Sequence, residues 1–284
     1  MNPLSTGAHE LPVDGATLAY HVHGTGPIVV AIPGGPGFSH RYLRAPRLEE
    51  RATVVYVDPI GTGRSSRLAT PAGYSRARDV ADLEALRRHL ALERIALLGH
   101  SAGGFVAQEY ALAHPSRIDR LILCDTTPTN GEAFEASLNE ELAARSARPW
   151  FPEAAGALRT MFTRILDDDE AIALGRKMVP LYLADPDGNP ALVEAFAAGI
   201  DIDPIRLQQA PPVPFDHRLA LRELDTKALV LVGAHDFICA PRLARALHEA
   251  LAGSRLVVFE RSGHMVHHEE PDRFAAVVAE FLAS

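Results

Sequence analysis

From Ile28 to Ile32 every position is apolar, and short runs of this kind then alternate with longer segments whose apolar residues recur every three or four positions. A run apolar throughout suits a strand covered on both faces, whereas the three-to-four spacing turns one face of a helix toward a core. The pattern predicts strands at Ile28 to Ile32, Thr53 to Val57, Ile95 to Leu98, Leu121 to Cys124, Ala228 to Val232 and Arg255 to Phe259. Between and after them it predicts helices at Arg76 to Leu90, Ala102 to Ala113, Pro241 to Leu251 and Pro271 to Leu282. Pro241 and Pro271 then fall in a first helical turn, where a missing N–H is no loss. Ahead of this series, Glu10 to Val13 and Ala16 to His23 read as strands joined by Asp14-Gly15, a dipeptide suited to a tight hairpin. Short strands alternating with helices of ten or more residues imply an α/β fold, a mostly parallel eight-stranded sheet with helices on both faces.

From about Thr129 the alternation breaks. The segment to about His217 has helical periodicity and several prolines and no buried strand, so the chain divides into a core, 1–128 and 219–284, and a helical insertion, 129–218. Pro211-Pro212-Val213-Pro214 reads as an extended return connection, because proline disfavours helix at its own position and the one before. A chain of 284 residues, 47% hydrophobic and 23% charged, can bury a sizeable core, which excludes disorder as the general state. Its 28 basic residues against 36 acidic ones, with no basic run, argue against a nucleic-acid partner. The insertion holds 15 acidic and 8 basic residues, which is nearly all of the net charge of −8. Within it Asp167-Asp168-Asp169-Glu170 reads as a solvated helix start, favoured by the helix dipole. Cys124 and Cys239 lack metal-ligand spacing, and no signal peptide or membrane-length apolar stretch is present. The expectation is a cytoplasmic protein with no membrane partner, no cofactor and no metal.

The sharpest chemical signal is Gly99-His100-Ser101-Ala102-Gly103, set between a predicted strand and a predicted helix. So tight a turn needs small neighbours and pushes the serine hydroxyl out above the sheet, beside the free N–H groups of a helix start. A serine hydroxyl needs a base, and the base an orienting acid. His264 follows the strand at Arg255 to Phe259 and is the candidate base; His267 and His268 run into a helix start and read as solvated. Asp236, after the strand at Ala228 to Val232, is the candidate acid, with Asp125 a second position whose plainer role is to cap a turn. For an oxyanion, Ala102 offers one backbone donor. The second comes from Pro33-Gly34-Gly35-Pro36-Gly37, where Gly35 is the best candidate and Gly34 the next, since proline has no N–H. Asp58 to Ser65 lacks the glycine spacing and helix of a phosphate loop and reads as a structural loop bracing the site, with Asp58 and Arg64 paired.

Taken together, these features resemble the α/β-hydrolase fold superfamily, and Gly34 to Gly37 with Asp58 to Ser65 resembles its proline iminopeptidase branch. The resemblance implies Ser101 as nucleophile, Asp236 and His264 as partners, and an oxyanion hole at Gly35 and Ala102. The branch pattern has His where Pro33 stands, Gln-Arg where Pro59-Ile60 stands and Trp where Ala102 stands, and its Trp-rich amine-holding motif has no counterpart here, Trp150 being the single tryptophan. Glu194 and Asp201 are the remaining candidates to hold a substrate amine. The reaction expected is hydrolysis of a small-molecule ester, lactone or N-terminal amide through an acyl-enzyme. Carbon–carbon bond hydrolysis or acyl transfer would use the same three residues. A non-catalytic receptor would be expected to have lost one of them. Relatives acting on haloalkanes or epoxides carry a carboxylate where Ser101 stands.

Overall fold

Gly7–Val13 (β1) turns at Asp14-Gly15, where Gly15 takes a φ of +65°, into Ala16–His23 (β2). This computed structural model describes residues 2–68, 70–164, 166–208 and 214–284. Ile28–Ile32 (β3) leads through Pro46–Glu49 (α1) to Thr53–Asp58 (β4), then Arg76–His89 (α2), Ile95–His100 (β5), Ala102–Ala113 (α3) and Ile118–Cys124 (β6). Five helices follow: Glu132–Arg145 (α4), Phe151–Thr163 (α5), Asp168–Tyr182 (α6), Pro190–Ala198 (α7) and Pro204–Gln208 (α8). The chain closes with Arg218–Leu221 (α9), Lys227–Gly233 (β7), Pro241–Ala250 (α10), Arg255–Phe259 (β8), Val266–Glu269 (α11) and Pro271–Ala283 (α12). The strands form one sheet in the order β1-β2-β4-β3-β5-β6-β7-β8, antiparallel at β1/β2 and β2/β4 and parallel from β4 to β8.

The apolar runs explain this burial on two faces. Val29 and Ala31 of β3, with Leu98, Ile122 and Leu231 from its neighbours, join one core cluster under α1 and α12. Val30 and Ile32, with Leu97, Leu123 and Val232, join the other, under α2, α3 and α10. Strand residues alternate between the two clusters, as the twofold period requires.

The sequence expectation holds for each strand and core helix, with ends that shift where polar residues still make ladder bonds: β1 starts at Gly7, β5 runs to His100 and β6 starts at Ile118. The stretch 38–52 carries a 3-10 turn, His40–Leu43, and α1, neither of which its Pro- and Arg-interrupted pattern announces. Among the described residues the segment between β6 and β7 is helical, and its two ends meet: Thr129 bridges Asp216, and the His217 N–H donates to the Pro128 carbonyl at 2.9 Å. Asp167 caps α6 in a reciprocal box with Glu170, as its acidic start suggests. Of the expected return connection, Pro211, Pro212 and Val213 lie outside the described residues. No helix among the described residues is long and apolar enough to cross a membrane.

Candidate active site

Ser101 is the N-cap of α3 and sits at φ 54°, ψ −124°, a conformation that non-glycine residues rarely adopt. The surroundings hold it there: its N–H donates to the Cys124 carbonyl at 3.0 Å, and the Thr126 hydroxyl donates to its carbonyl at 2.8 Å. Two close approaches explain the glycines. A Cβ on Gly103 would lie 2.4 Å from the Ile32 carbonyl oxygen, so α3 can approach the end of β3 only with hydrogen there. A Cβ on Gly34 would lie 2.6 Å from Cβ of Ser101.

His264 follows β8, its N–H donating to the Tyr182 carbonyl at 2.7 Å. Its Nδ1 meets Oδ2 of Asp236 at 2.8 Å, both side chains buried. The other oxygen of Asp236 accepts the Ile238 and Cys239 N–H groups, each at 2.9 Å, so the carboxylate is fixed from both sides. Burial alone would lower the His264 pKa, but the charge and hydrogen bond of Asp236 outweigh it and the net shift is upward.

Asp125 follows β6 with φ 48° and reaches across to β7, its Oδ1 accepting the Gly233 N–H at 2.9 Å. Burial, and then the neighbouring Asp236 charge, push its carboxyl well up. The expectation that His267 and His268 are solvated is corrected. Because α11 packs on the 3-10 turn, His267 is 2% exposed and His268 partly buried, and both rings donate from Nε2 to the Tyr42 carbonyl.

Sequence reading missed Tyr42 and the role of His100. The Gly34 N–H donates to the Tyr42 hydroxyl, which lies 2.9 Å from Nδ1 of His100; Nε2 of His100 lies 2.9 Å from the His264 carbonyl. A carbonyl only accepts, so Nε2 carries the proton, Nδ1 accepts, and the Tyr42 O–H donates to it. Burial, followed by the His264 charge, holds the His100 pKa well below its usual value, in keeping with a neutral ring. With Gly34 engaged, Gly35 keeps an N–H that has no protein acceptor among the described residues. The N–H of Ala102, first residue of α3, has no acceptor within its own helix.

Two cavities flank this turn. One of about 210 Å³ is walled by Gly34, Ala102, Phe105, Val106 and Phe215. The other, about 40 Å³, is walled by Gly35, Ser101, Met161, Met178, Tyr182 and His264. Phe162 of the insertion borders both. Asp79 is the one carboxylate on either wall among the described residues, and Arg206 holds it at 2.6 Å. Neither Glu194 nor Asp201 borders these cavities: Glu194 is exposed on α7, and Asp201 lies 3.7 Å from Arg41.

The Asp58 loop braces the site by other bonds than the expected pair. Its carboxylate accepts from the His21 ring at 2.9 Å, from the His40 ring at 2.7 Å and from the N–H groups of His40 and Arg64, while the Arg64 guanidinium reaches Glu10 instead. His21, His40 and Asp58 stand near enough to share a cation, as do Asp236, Cys239 and His264, or His100, Cys124 and Asp125. In the first group the carboxylate already has four donors, and in the other two the histidine and aspartate atoms are engaged in the bonds just described.

Residues 27–271 match the family model of the alpha/beta hydrolase fold. A protein named proline iminopeptidase PfmaB, from Pestalotiopsis fici, is 28% identical over 271 residues, 92% of this chain and 94% of that one. Among solved structures, a hydrolase from Pseudomonas aeruginosa PA01 is 28% identical with a TM-score of 0.71, covering 99% of this chain and 100% of that one. A thermophilic esterase from Thermogutta terrifontis is 26% identical with a TM-score of 0.73, covering 94% and 93%.

Proposed function

The chain belongs to the α/β-hydrolase fold family and is a hydrolase, and from that premise we propose that it cleaves small carboxylic esters through an acyl-enzyme formed on Ser101. In this reading Ser101 Oγ attacks the carbonyl carbon while His264 Nε2 takes the hydroxyl proton. Asp236 keeps the ring in the tautomer that leaves Nε2 free and offsets the charge it gains. The developing oxyanion is held by the N–H groups of Gly35 and Ala102. His264 then passes its proton to the leaving oxygen, and a water deprotonated by the same ring releases the acid and restores Ser101. Residues 129–218 act as a cap that roofs the site.

The observation that carries this reading is the strained Ser101 turn opening on the chamber that His264 also walls, with His264 bonded to Asp236 at 2.8 Å. An ester is favoured over an N-terminal amide because the one wall carboxylate among the described residues, Asp79, is committed to Arg206 and so is not free to hold a substrate amine. The amide reading keeps support from the relative named proline iminopeptidase. Purified protein should take up a fluorophosphonate at Ser101 and release acid from methyl butyrate in a pH-stat. Ser101→Ala should lose both, and activity retained in that variant overturns the mechanism. Lactones and prolyl amides in the same assay rank the substrates.

A further inference from the structure

The two cavities differ about fivefold in volume, and the chemistry of the site assigns them different parts of the substrate. This step rests on the reading of Ser101 and His264 given above. Collapse of the tetrahedral intermediate needs a proton delivered from His264 to the departing oxygen, so the leaving group must lie within reach of that ring. The chamber walled by Ser101 and His264 is the small one, about 40 Å³. The cavity of about 210 Å³ adjoins on the Gly34 and Ala102 side, with neither Ser101 nor His264 in its wall, and is the space left for the acyl substituent.

The linings agree with that division. Phe105, Val106 and Phe215 make the large cavity apolar, and its charged groups are paired, Asp79 with Arg206 and Arg76 with Glu109. Met161 and Met178, both buried, crowd the small one. We propose that the substrate class is esters of a medium-length or aryl apolar carboxylic acid with a very small alcohol, the acyl chain lying between α3 and Phe215 and the alcohol confined beside His264. Attack forms the bond from Ser101 Oγ to the acyl carbon and breaks the bond from that carbon to the alkoxy oxygen, which leaves as methanol or ethanol after taking the His264 proton.

Acid release in a pH-stat tests this with two series, methyl esters from acetate to octanoate and alkyl acetates from methyl to octyl. In the first series kcat/KM should rise by up to about fourfold per methylene until the cavity is filled. In the second it should fall at least tenfold beyond ethyl. Phe105→Ala should alter the dependence on acyl length, and Met161→Ala should relieve the penalty on long alcohols. A rise with alcohol length and a flat acyl series, or variants with exchanged effects, overturns the assignment while leaving Ser101 chemistry intact. No turnover of any ester, with Ser101 unlabelled by fluorophosphonate, overturns the underlying reading and this one together. If buried Met161→Ala does not fold, the two series on the unaltered protein still decide the matter.

Discussion

Two buried aspartates, Asp125 directly after β6 and Asp236 in the loop after the adjacent β7, stand near His264, and their surroundings differ. Asp236 accepts the His264 ring N–H and two backbone N–H groups, a donor set that suits a carboxylate. Asp125 has the Gly233 N–H and the weak Cys124 thiol, and burial together with the Asp236 charge raises its pKa. A carboxyl raised above its unfolded value of about 3.9 contributes stability that is complete below that value and lost as pH rises through the folded one. Asn keeps the shape of the protonated form, so Asp125→Asn should lose less melting temperature than the unaltered protein between about pH 4 and 8. It should keep kcat/KM within a few-fold, while Asp236→Asn should lower it by about 10⁴-fold. An equal loss in both variants would make Asp125 the orienting acid. For the unaltered protein, the raised His264 pKa places the acid limb of kcat/KM above the ordinary histidine value of about 6.5, since the base must be neutral. Both aspartates are legible in the sequence as strand-end residues, and chain order already favours Asp236. Their different partners are not legible, because those bonds reach 28 residues to His264 and 108 to Gly233.

Elements built from local signals are the ones the sequence reveals. The strands declare themselves by uninterrupted apolar runs, and the Ser101 turn by small residues between one such run and a helix. The 3-10 turn His40–Leu43 has neither signal, yet it carries Tyr42, whose hydroxyl connects Gly34 with His100 and whose carbonyl takes two rings from α11. Its partners lie 58 and 225 residues away, so no local pattern could show the role. Tyr42 should act as a positioning residue, because its hydroxyl holds the Gly34 N–H one residue before the N–H of Gly35. Tyr42→Phe leaves the Gly34 N–H and His100 Nδ1 without that partner, at a cost of about 1–3 kcal/mol. If that cost falls on the transition state, kcat drops about tenfold or more, with KM changed less than twofold. Lower melting temperature with kcat intact would reduce Tyr42 to a packing role.

On the scale of the whole molecule, acidic residues of the helical segment between β6 and β7 pair with arginines on either side of it in the chain. Arg67 lies 2.8 Å from both Asp168 and Asp203, and Arg41 and Arg242 reach Asp201 and Glu140. The pairs with Asp168, Asp201 and Glu140 are largely solvated and contribute little each, while Asp203 is buried. The contact that matters runs the other way: Arg206 of α8 enters the core, donating to the Ile60 carbonyl and to Asp79, with both side chains less than a tenth exposed. Burial raises the Asp79 pKa and the Arg206 charge only partly offsets this, so the ion pair itself is not a source of net stability. Its loss on one side is another matter. Arg206→Ala strands a buried carboxylate and should cost about 3–5 kcal/mol in urea unfolding at pH 8, whereas Asp79→Leu with Arg206→Met should come within about 1 kcal/mol of the unaltered protein or exceed it. A raised pKa means the lone Asp79 becomes easier to bury as pH falls, so the cost of Arg206→Ala should shrink at pH 5. A cost below about 1 kcal/mol at pH 8, or one independent of pH, would show that the insertion is held to the core by its apolar contacts alone.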